Sequence, residues 1–285
     1  MADKLAKTYS YFPGCSLATS AKENNQSLIQ FCRRLGIELV ELTDWSCCGS
    51  SSAHSINSSL AARLSTRNLA LAPSGRPLLV ACPSCMLRLV EAKLHLQNDP
   101  AACLQYEQSW GREVDESLEI IHFFELFDRL GFANLIPDAA HALCGLKIAP
   151  YYGCMLARPP HLRHLPNHYG LMERVLGQLG AEAVSWSFAS RCCGTFLSVA
   201  RPDVVSPLVD QIVDGASAAG ADCIVTACAM CHLNLEVRCT RKQPLPTFHF
   251  SEILALALGA TAHNGWFARH LVDPRPMLKA KGLIC

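Results

Sequence analysis

Short apolar runs that close on a cysteine punctuate this chain, and most are followed by residues with helical spacing. Residues 7–12 (KTYSYF) predict a first strand running into a Gly14-Cys15 turn. Leu28, Ile29, Cys32 and Leu35 predict a helix over 21–35, stopped by Gly36. Residues 37–42 read as a second strand, 44–52 as a loop holding Cys47 and Cys48, and 56–72 as a helix ended by Pro73. A third strand over 77–82 leads to Pro83, placed where a first helical turn tolerates it, and a helix to about residue 98. Residues 99–144 form a link, in which 119–130 (EIIHFFELFDRL) predict one amphipathic helix, with Phe123, Phe124 and Phe127 on a core-packing face.

The plan then recurs. A strand over 146–152 runs into Gly153-Cys154, a helix over 171–179 stops at Gly180, and a strand over 183–186 enters a loop with Cys192 and Cys193. A helix over 204–219, a strand over 223–228 and a helix over 229–239 follow. The tail, 247–259 (TFHFSEILALALG), reads as a short strand and an apolar core helix, then comes 266–271 and a Pro-punctuated end. Strands alternating with helices predict an α/β fold of two tandem, pseudo-symmetric units with mainly parallel sheets, 1–144 and 145–285. Sites in such sheets lie at the carboxyl ends of strands, where these cysteines fall.

The cysteines carry the repeat most clearly. A pattern C…CCG…CxxC occurs as Cys15, Cys47-Cys48-Gly49, Cys82 and Cys85, and again as Cys154, Cys192-Cys193-Gly194, Cys228 and Cys231. The gaps are 31 and 33 residues in the first copy and 37 and 34 in the second. Two five-cysteine sets in one order and nearly one spacing mark a tandem duplication.

Composition narrows the chemistry. The formal net charge is +1 and no long basic tract exists, so nucleic acid is a poor partner. Half the residues are hydrophobic, which hints at surface buried against other subunits. Met1-Ala-Asp-Lys-Leu-Ala-Lys has no signal-peptide core behind it, and no run approaches about 18 apolar residues. The expected location is therefore cytoplasmic. There, the 16 cysteines stay reduced unless they bind metal or do redox chemistry.

Five thiols per unit fit some metal groups better than others. One zinc takes four ligands, so the CxxC and the vicinal pair fill it and leave Cys15 or Cys154 spare. A cubane cluster takes one thiolate per iron, so a fifth must idle, bridge two irons or open the cube. Adjacent cysteines need a sharp turn to face one group, and Gly49 and Gly194 are placed to allow it. A thioredoxin-like reading of CPSC is disfavoured, because the second copy reads CAMC and each copy has three more cysteines. All five donors are sulfur and no histidine recurs at matched positions, so iron–sulfur is preferred and zinc in one site is the alternative. At helix starts, Cys82, Cys85, Cys228 and Cys231 are expected to deprotonate readily. No G-x-G-x-x-G, flavin or compact ferredoxin signature is present, so electrons must come from or go to another subunit.

C-x31-CC-x33-C-x-x-C and C-x37-CC-x34-C-x-x-C resemble the duplicated cysteine-rich CCG domains of the HdrB family, the component of heterodisulfide reductase built from such domains. The likeness includes Pro13-Gly14-Cys15 and the tail FHFSEILALALG followed by HLVDPRPML. Related domains occur in heterodisulfide-reductase-like complexes of sulfur oxidisers and in parts of some succinate, lactate, glycolate and glycerol-3-phosphate dehydrogenases, among them the E component of succinate dehydrogenase. The resemblance implies two non-cubane 4Fe–4S clusters. Cys15, Cys47, Cys48, Cys82 and Cys85 would hold the first, and Cys154, Cys192, Cys193, Cys228 and Cys231 the second. It implies a thiol–disulfide oxidoreductase subunit that cleaves a disulfide or oxidises thiols or persulfides. Its partners would be a ferredoxin-like subunit with cubane 4Fe–4S clusters and a flavin-containing subunit, with peripheral membrane contact through a partner left open. Two other classes compete: an electron relay linking a flavoprotein dehydrogenase such as succinate dehydrogenase to quinone, and a zinc-stabilised assembly module.

Other residues carry smaller expectations. Cys32 and Cys223 lie on apolar faces and read as buried hydrophobes, while Cys103, Cys144, Cys239 and Cys285 have no assigned role. His161, His164 and His168 read as a solvated loop that could also supply a proton at the second cluster. His232 and His249 are expected to hydrogen-bond a sulfur or a carbonyl. Arg158 and Arg191 are expected to face the cluster's negative charge.

Overall fold

The computed structural model describes residues 8–50, 52–130, 141–156, 168–261 and 263–284. In the first repeat the elements are β1 (Thr8–Phe12), α1 (Gly14–Ala18), α2 (Lys22–Arg34), β2 (Glu38–Glu41), α3 (Ser52–Ile56) and α4 (Ser58–Ala70). They continue with β3 (Leu78–Val80), α5 (Pro83–Asn98), α6 (Pro100–Trp110), β4 (Ile120–His122) and α7 (Glu125–Leu130). The second repeat has β5 (Lys147–Tyr151), α8 (Gly153–Leu156), α9 (Leu171–Gln178), β6 (Glu182–Ala183), α10 (Pro202–Ala218), β7 (Cys223–Thr226) and α11 (Ala229–Arg238). Its tail is β8 (Thr247–His249), α12 (Phe250–Ala257), α13 (His263–Phe267) and α14 (Arg275–Ala280).

Each repeat builds one four-stranded, all-parallel sheet, in the orders β2-β1-β3-β4 and β6-β5-β7-β8. The α/β class and the paired units read from the sequence hold. The central strands are buried on both faces, which is why Leu78–Val80 (LLV) and Cys223–Thr226 (CIVT) read as near-continuous apolar runs. Register aligns the strand ends: Phe12 pairs with Val80 and Val80 with His122, while Tyr151 pairs with Thr226 and Thr226 with His249. Cys15, Cys82, Cys154 and Cys228 lie just beyond these level carboxyl ends, and each vicinal pair lies in the loop that follows β2 or β6.

The link departs from expectation. Residues 119–130 are not one helix: Ile120–His122 form strand β4 and only Glu125–Leu130 are helical. Ile120 and Ile121 are β-branched, and pairing with Leu78 and Leu79 completes the sheet edge. The three phenylalanines are nonetheless buried, as expected. Helix α6 is also new. Asp99 caps it by accepting from Ala102 N at 3.0 Å, Pro100 opens it, and Gly111 closes it in the left-handed region.

The chain forms two compact units that do not follow the repeat boundary. One comprises residues 1–18 and 36–129; the other, 19–35 and 130–285. Helix α2 connects β1 to β2 yet packs within the second unit, on α12 and α13. Its buried face carries Asn24, Ser27, Leu28, Phe31 and Cys32. Ser27 Oγ lies 2.7 Å from Ser251 Oγ, Asn24 bonds His232 Nδ1 at 3.1 Å, and Arg34 donates to Gly259 O at 2.9 Å.

Candidate metal centres

In the first unit, α1 carries Cys15, and Cys82 is the N-cap of α5 with Cys85 one turn on. The vicinal pair sits in the loop after β2. Asn68 of α4 fixes that loop, accepting from Ser46 N and donating to Ser46 O, each at 2.9 Å. Ser65 donates to Cys48 O at 3.1 Å. The second unit repeats this: α8 carries Cys154, Cys228 caps α11, Cys231 is one turn on, and Asn234 donates to Cys193 O at 2.8 Å.

The sulfurs converge. Cys15 and Cys47 Sγ lie 3.7 Å apart, Cys48 and Cys85 3.2 Å, and Cys193 and Cys231 3.4 Å. Cys82 interacts electrostatically with Cys85 and Cys48, Cys228 with Cys231, and Cys154 with Cys192. None of the ten forms a disulfide. Each copy shows one exposure pattern: the first cysteine and the first of the pair reach the surface, while the second of the pair and both CxxC thiols are buried.

Glycine makes the gathering sterically feasible. Gly14 and Gly153 have φ of +75° and +66°, and an added Cβ would stand 2.8 Å from Cys85 Sγ and 3.3 Å from Cys231 Sγ. The backbone therefore approaches Cys85 Sγ more closely than a side chain permits at Gly14, and approaches Cys231 Sγ tightly at Gly153. Gly49 and Gly194, at φ +73° and +77°, supply the sharp turn after each pair. Their N–H groups donate to Cys47 Sγ at 3.4 Å and to Cys192 Sγ at 3.3 Å. Gly14→Ala is expected to lower metal loading of the first set several-fold and leave the second intact, measured as metal per chain. Left-handed strain of about 1–2 kcal/mol and the clash with Cys85 act together there.

Crowding divides the thiols electrostatically. Hydrogen bonding with Cys15 holds Cys47 down at about 2, while the same contact pushes Cys15 up. In the second set Cys192 falls to about 6 through Cys154, which rises in turn. The helix-start expectation reverses at Cys85 and Cys231. Hydrogen bonding to neighbouring thiols, with burial, raises both, outweighing the helix dipole. Cys32 rises to about 12 by burial alone, as befits an inert core thiol, and Cys223 is likewise buried and raised.

A tetrahedral zinc holds four sulfurs about 3.8 Å apart in one shell. Here close sulfurs occur in pairs. Among the described residues, three potential ligands within 4.8 Å of one another are found at His232, Glu252 and His270, not among these cysteines. Five partly surface-facing thiols, gathered around close sulfur pairs and with N–H donors, fit a polynuclear sulfide cluster better than one ion.

The profile of the CCG cysteine-rich domain matches residues 9–90 and 148–236, once in each repeat. The chain belongs to the CCG cysteine-rich domain family. Its CCG relatives include the 8-methylmenaquinol:fumarate reductase membrane anchor subunit of Wolinella succinogenes, 26% identical over 94% of this chain and 98% of that protein. Another is the HdrB component of the ferredoxin/F420H2-dependent CoB-CoM heterodisulfide reductase of Methanosarcina acetivorans, 28% identical over 88% of this chain and 89% of that protein. A solved structure of a hypothetical protein from Helicobacter pylori shares the fold, with a TM-score of 0.70 at 15% identity over 94% of this chain; the match spans 52% of that protein. No described helix of this CCG protein is long and apolar enough to cross a membrane.

The remaining candidates part company. His161, His164 and Arg158 lie outside the described residues, as does Cys285. His168 is 2% exposed, so it is core rather than solvated loop. Arg191 stacks its guanidinium 5.3 Å over the Phe188 ring. His249 Nδ1 meets Ser251 Oγ at 2.7 Å, and His232 turns from the sulfurs toward Asn24 and Glu236. Cys103 is buried, Cys144 exposed and Cys239 half-buried.

Sequence reading missed one repeated device. His122-Phe123-Phe124-Glu125 and His249-Phe250-Ser251-Glu252 are copies of H-F-x-E. In each, the glutamate accepts from the histidine's backbone N–H, at 3.0 and 2.8 Å. In the first, His122 Nε2 also reaches Ala81 O at 3.1 Å, bracing the turn that presents Cys82.

Proposed function

We propose that this CCG protein is the iron–sulfur catalytic subunit of a heterodisulfide-reductase-like complex, which reduces a disulfide or oxidises thiols or persulfides. Cys15, Cys47, Cys48, Cys82 and Cys85 would hold one 4Fe–4S cluster of non-cubane type; Cys154, Cys192, Cys193, Cys228 and Cys231 would hold the other. The observation that carries this reading is the matched gathering of five cysteines in each unit around close sulfur pairs, three buried and two at the surface. A 4Fe–4S cluster, when bound, supplies single electrons and iron that accepts a sulfur ligand.

The chain's own residues divide the work. Buried Cys48, Cys85, Cys193 and Cys231 anchor the inner side, against Phe12 and Tyr151, which exclude water. Exposed Cys15 and Cys192 leave a face that a substrate sulfur reaches without any strand moving. The Gly49 and Gly194 N–H groups stabilise thiolate at Cys47 and Cys192 and tune potential. A ferredoxin-like subunit and a flavin-containing subunit would exchange electrons with it in the cytoplasm.

A second reading, an electron relay to quinone, is favoured by one feature. Beside Cys192 and Cys193, the side chains of Phe196, Leu197, Val199 and Val204 are 41%, 48%, 91% and 39% exposed. The named quinol relative adds weight. Anaerobically purified protein with its partner subunits separates the readings. About eight irons per chain and cluster spectra that change on adding a disulfide are expected. Reduction by a quinol alone, with no response to disulfide, favours the relay. Colourless protein with two zinc and no iron refutes both.

A further inference from the structure

Behind the second cysteine set, α11 and the tail enclose a group of polar side chains with no role in sulfur chemistry. His232 and Glu236 stand one turn apart on α11, His270 follows α13, and Glu252 belongs to α12. Their side chains are 3%, 4%, 0% and 0% exposed. His270 Nδ1 lies 3.2 Å from Glu236 Oε1, and His232 Nε2 lies 3.7 Å from the same oxygen. None of these three buried atoms is aligned for a hydrogen bond. A buried polar atom without an aligned hydrogen bond costs about 1–3 kcal/mol, and one ion between these three would satisfy them together.

The opposite end of every one of these side chains is held. Asn24 bonds His232 Nδ1 at 3.1 Å, Leu271 N donates to Glu236 Oε2 at 2.9 Å, and Glu252 Oε1 meets His270 Nε2 at 2.9 Å. Glu252 is fixed in turn by His249 N at 2.8 Å. An outer shell that orients each imidazole and leaves one nitrogen bare is the arrangement around a bound metal ion. Ligands about 2.0–2.1 Å from a tetrahedral zinc lie about 3.3 Å from one another; His270 Nδ1 and His232 Nε2 stand 3.2 and 3.7 Å from Glu236 Oε1, and His232, Glu252 and His270 offer ligand atoms within 4.8 Å of one another.

We propose that His232 Nε2, Glu236 Oε1 and His270 Nδ1 form a zinc(II) site, with Glu252 as the carboxylate behind His270. Two imidazoles and one carboxylate suit zinc, and their sulfur-free donor set separates it from the cysteines. Against the effect of burial, Glu252 and Glu236 favour a protonated His270, so zinc(II) would bind there by displacing that proton. The ion would tie α11, which carries Cys231, to the chain's last segment, and through Asn24 to α2. The site does not depend on what the cysteines hold.

The test uses the full-length, iron-loaded protein equilibrated with zinc(II) and freed of excess. About one zinc per chain is expected, and zinc-edge X-ray absorption should show a shell of nitrogen and oxygen with imidazole scattering. The near-isosteric Glu236→Gln should weaken zinc binding more than about tenfold with iron content unchanged. Less than about a fifth of an equivalent, a shell containing sulfur, or undiminished zinc in Glu236→Gln overturns the proposal. The first of these outcomes leaves a proton on His270 as the occupant.

Discussion

Cys193→Ala is expected to take the iron content from about eight atoms per chain to about four, and to abolish turnover while one cluster's spectrum persists. Cys193 is buried, its sulfur lies 3.4 Å from Cys231, and its carbonyl is pinned by Asn234. The first set stands in a separate compact unit with its own five sulfurs, so its spectrum should remain. Metal analysis with spectra of the reduced and oxidised protein checks this. If both spectra survive unchanged, Cys193 is no ligand. If both vanish, the units are not independent.

The second large effect concerns cutting the chain. A fragment of residues 145–285 is expected not to fold stably, whereas a chain that includes 19–35 does. Leu28 and Phe31 are fully buried in the second unit, worth roughly 1.5–3 kcal/mol each. The bonds from Asn24 to His232 and between Ser27 and Ser251 add about 1 kcal/mol apiece. Losing all four approaches the roughly 5–15 kcal/mol that stabilises a typical domain. Urea unfolding of the fragment, with and without a peptide spanning 19–35, measures it. A cooperative transition in the bare fragment would show that α2 is dispensable.

That helix marks the limit of what the sequence told. Strand ends before Cys15, Cys82, Cys154 and Cys228 were legible because apolar runs and turn residues are local signals. The proline and cysteine at the start of α5 were equally plain. The exchange of α2 was not, because its amphipathic face names no partner. The link misled for a related reason: Ile120–His122 and the following phenylalanines satisfy both a helical and a strand pattern over so short a run. Only the H-F-x-E copy at 249–252 distinguishes them. The His232, Glu236 and His270 cluster was hidden because its members are scattered over 39 positions. The set belongs to one repeat alone, so no matched position in the other repeat marks it.

Helix α2 also sets an order of events during synthesis. Its apolar side is made early, but the α12 and α13 surfaces that bury it are about 215 residues further along. Until the ribosome has delivered them, the nascent first repeat carries an unsheltered greasy helix in the middle of its β1–β2 connection. Maturation of both halves therefore waits on the last seventh of the chain, and the interval is one in which a chaperone has something to hold.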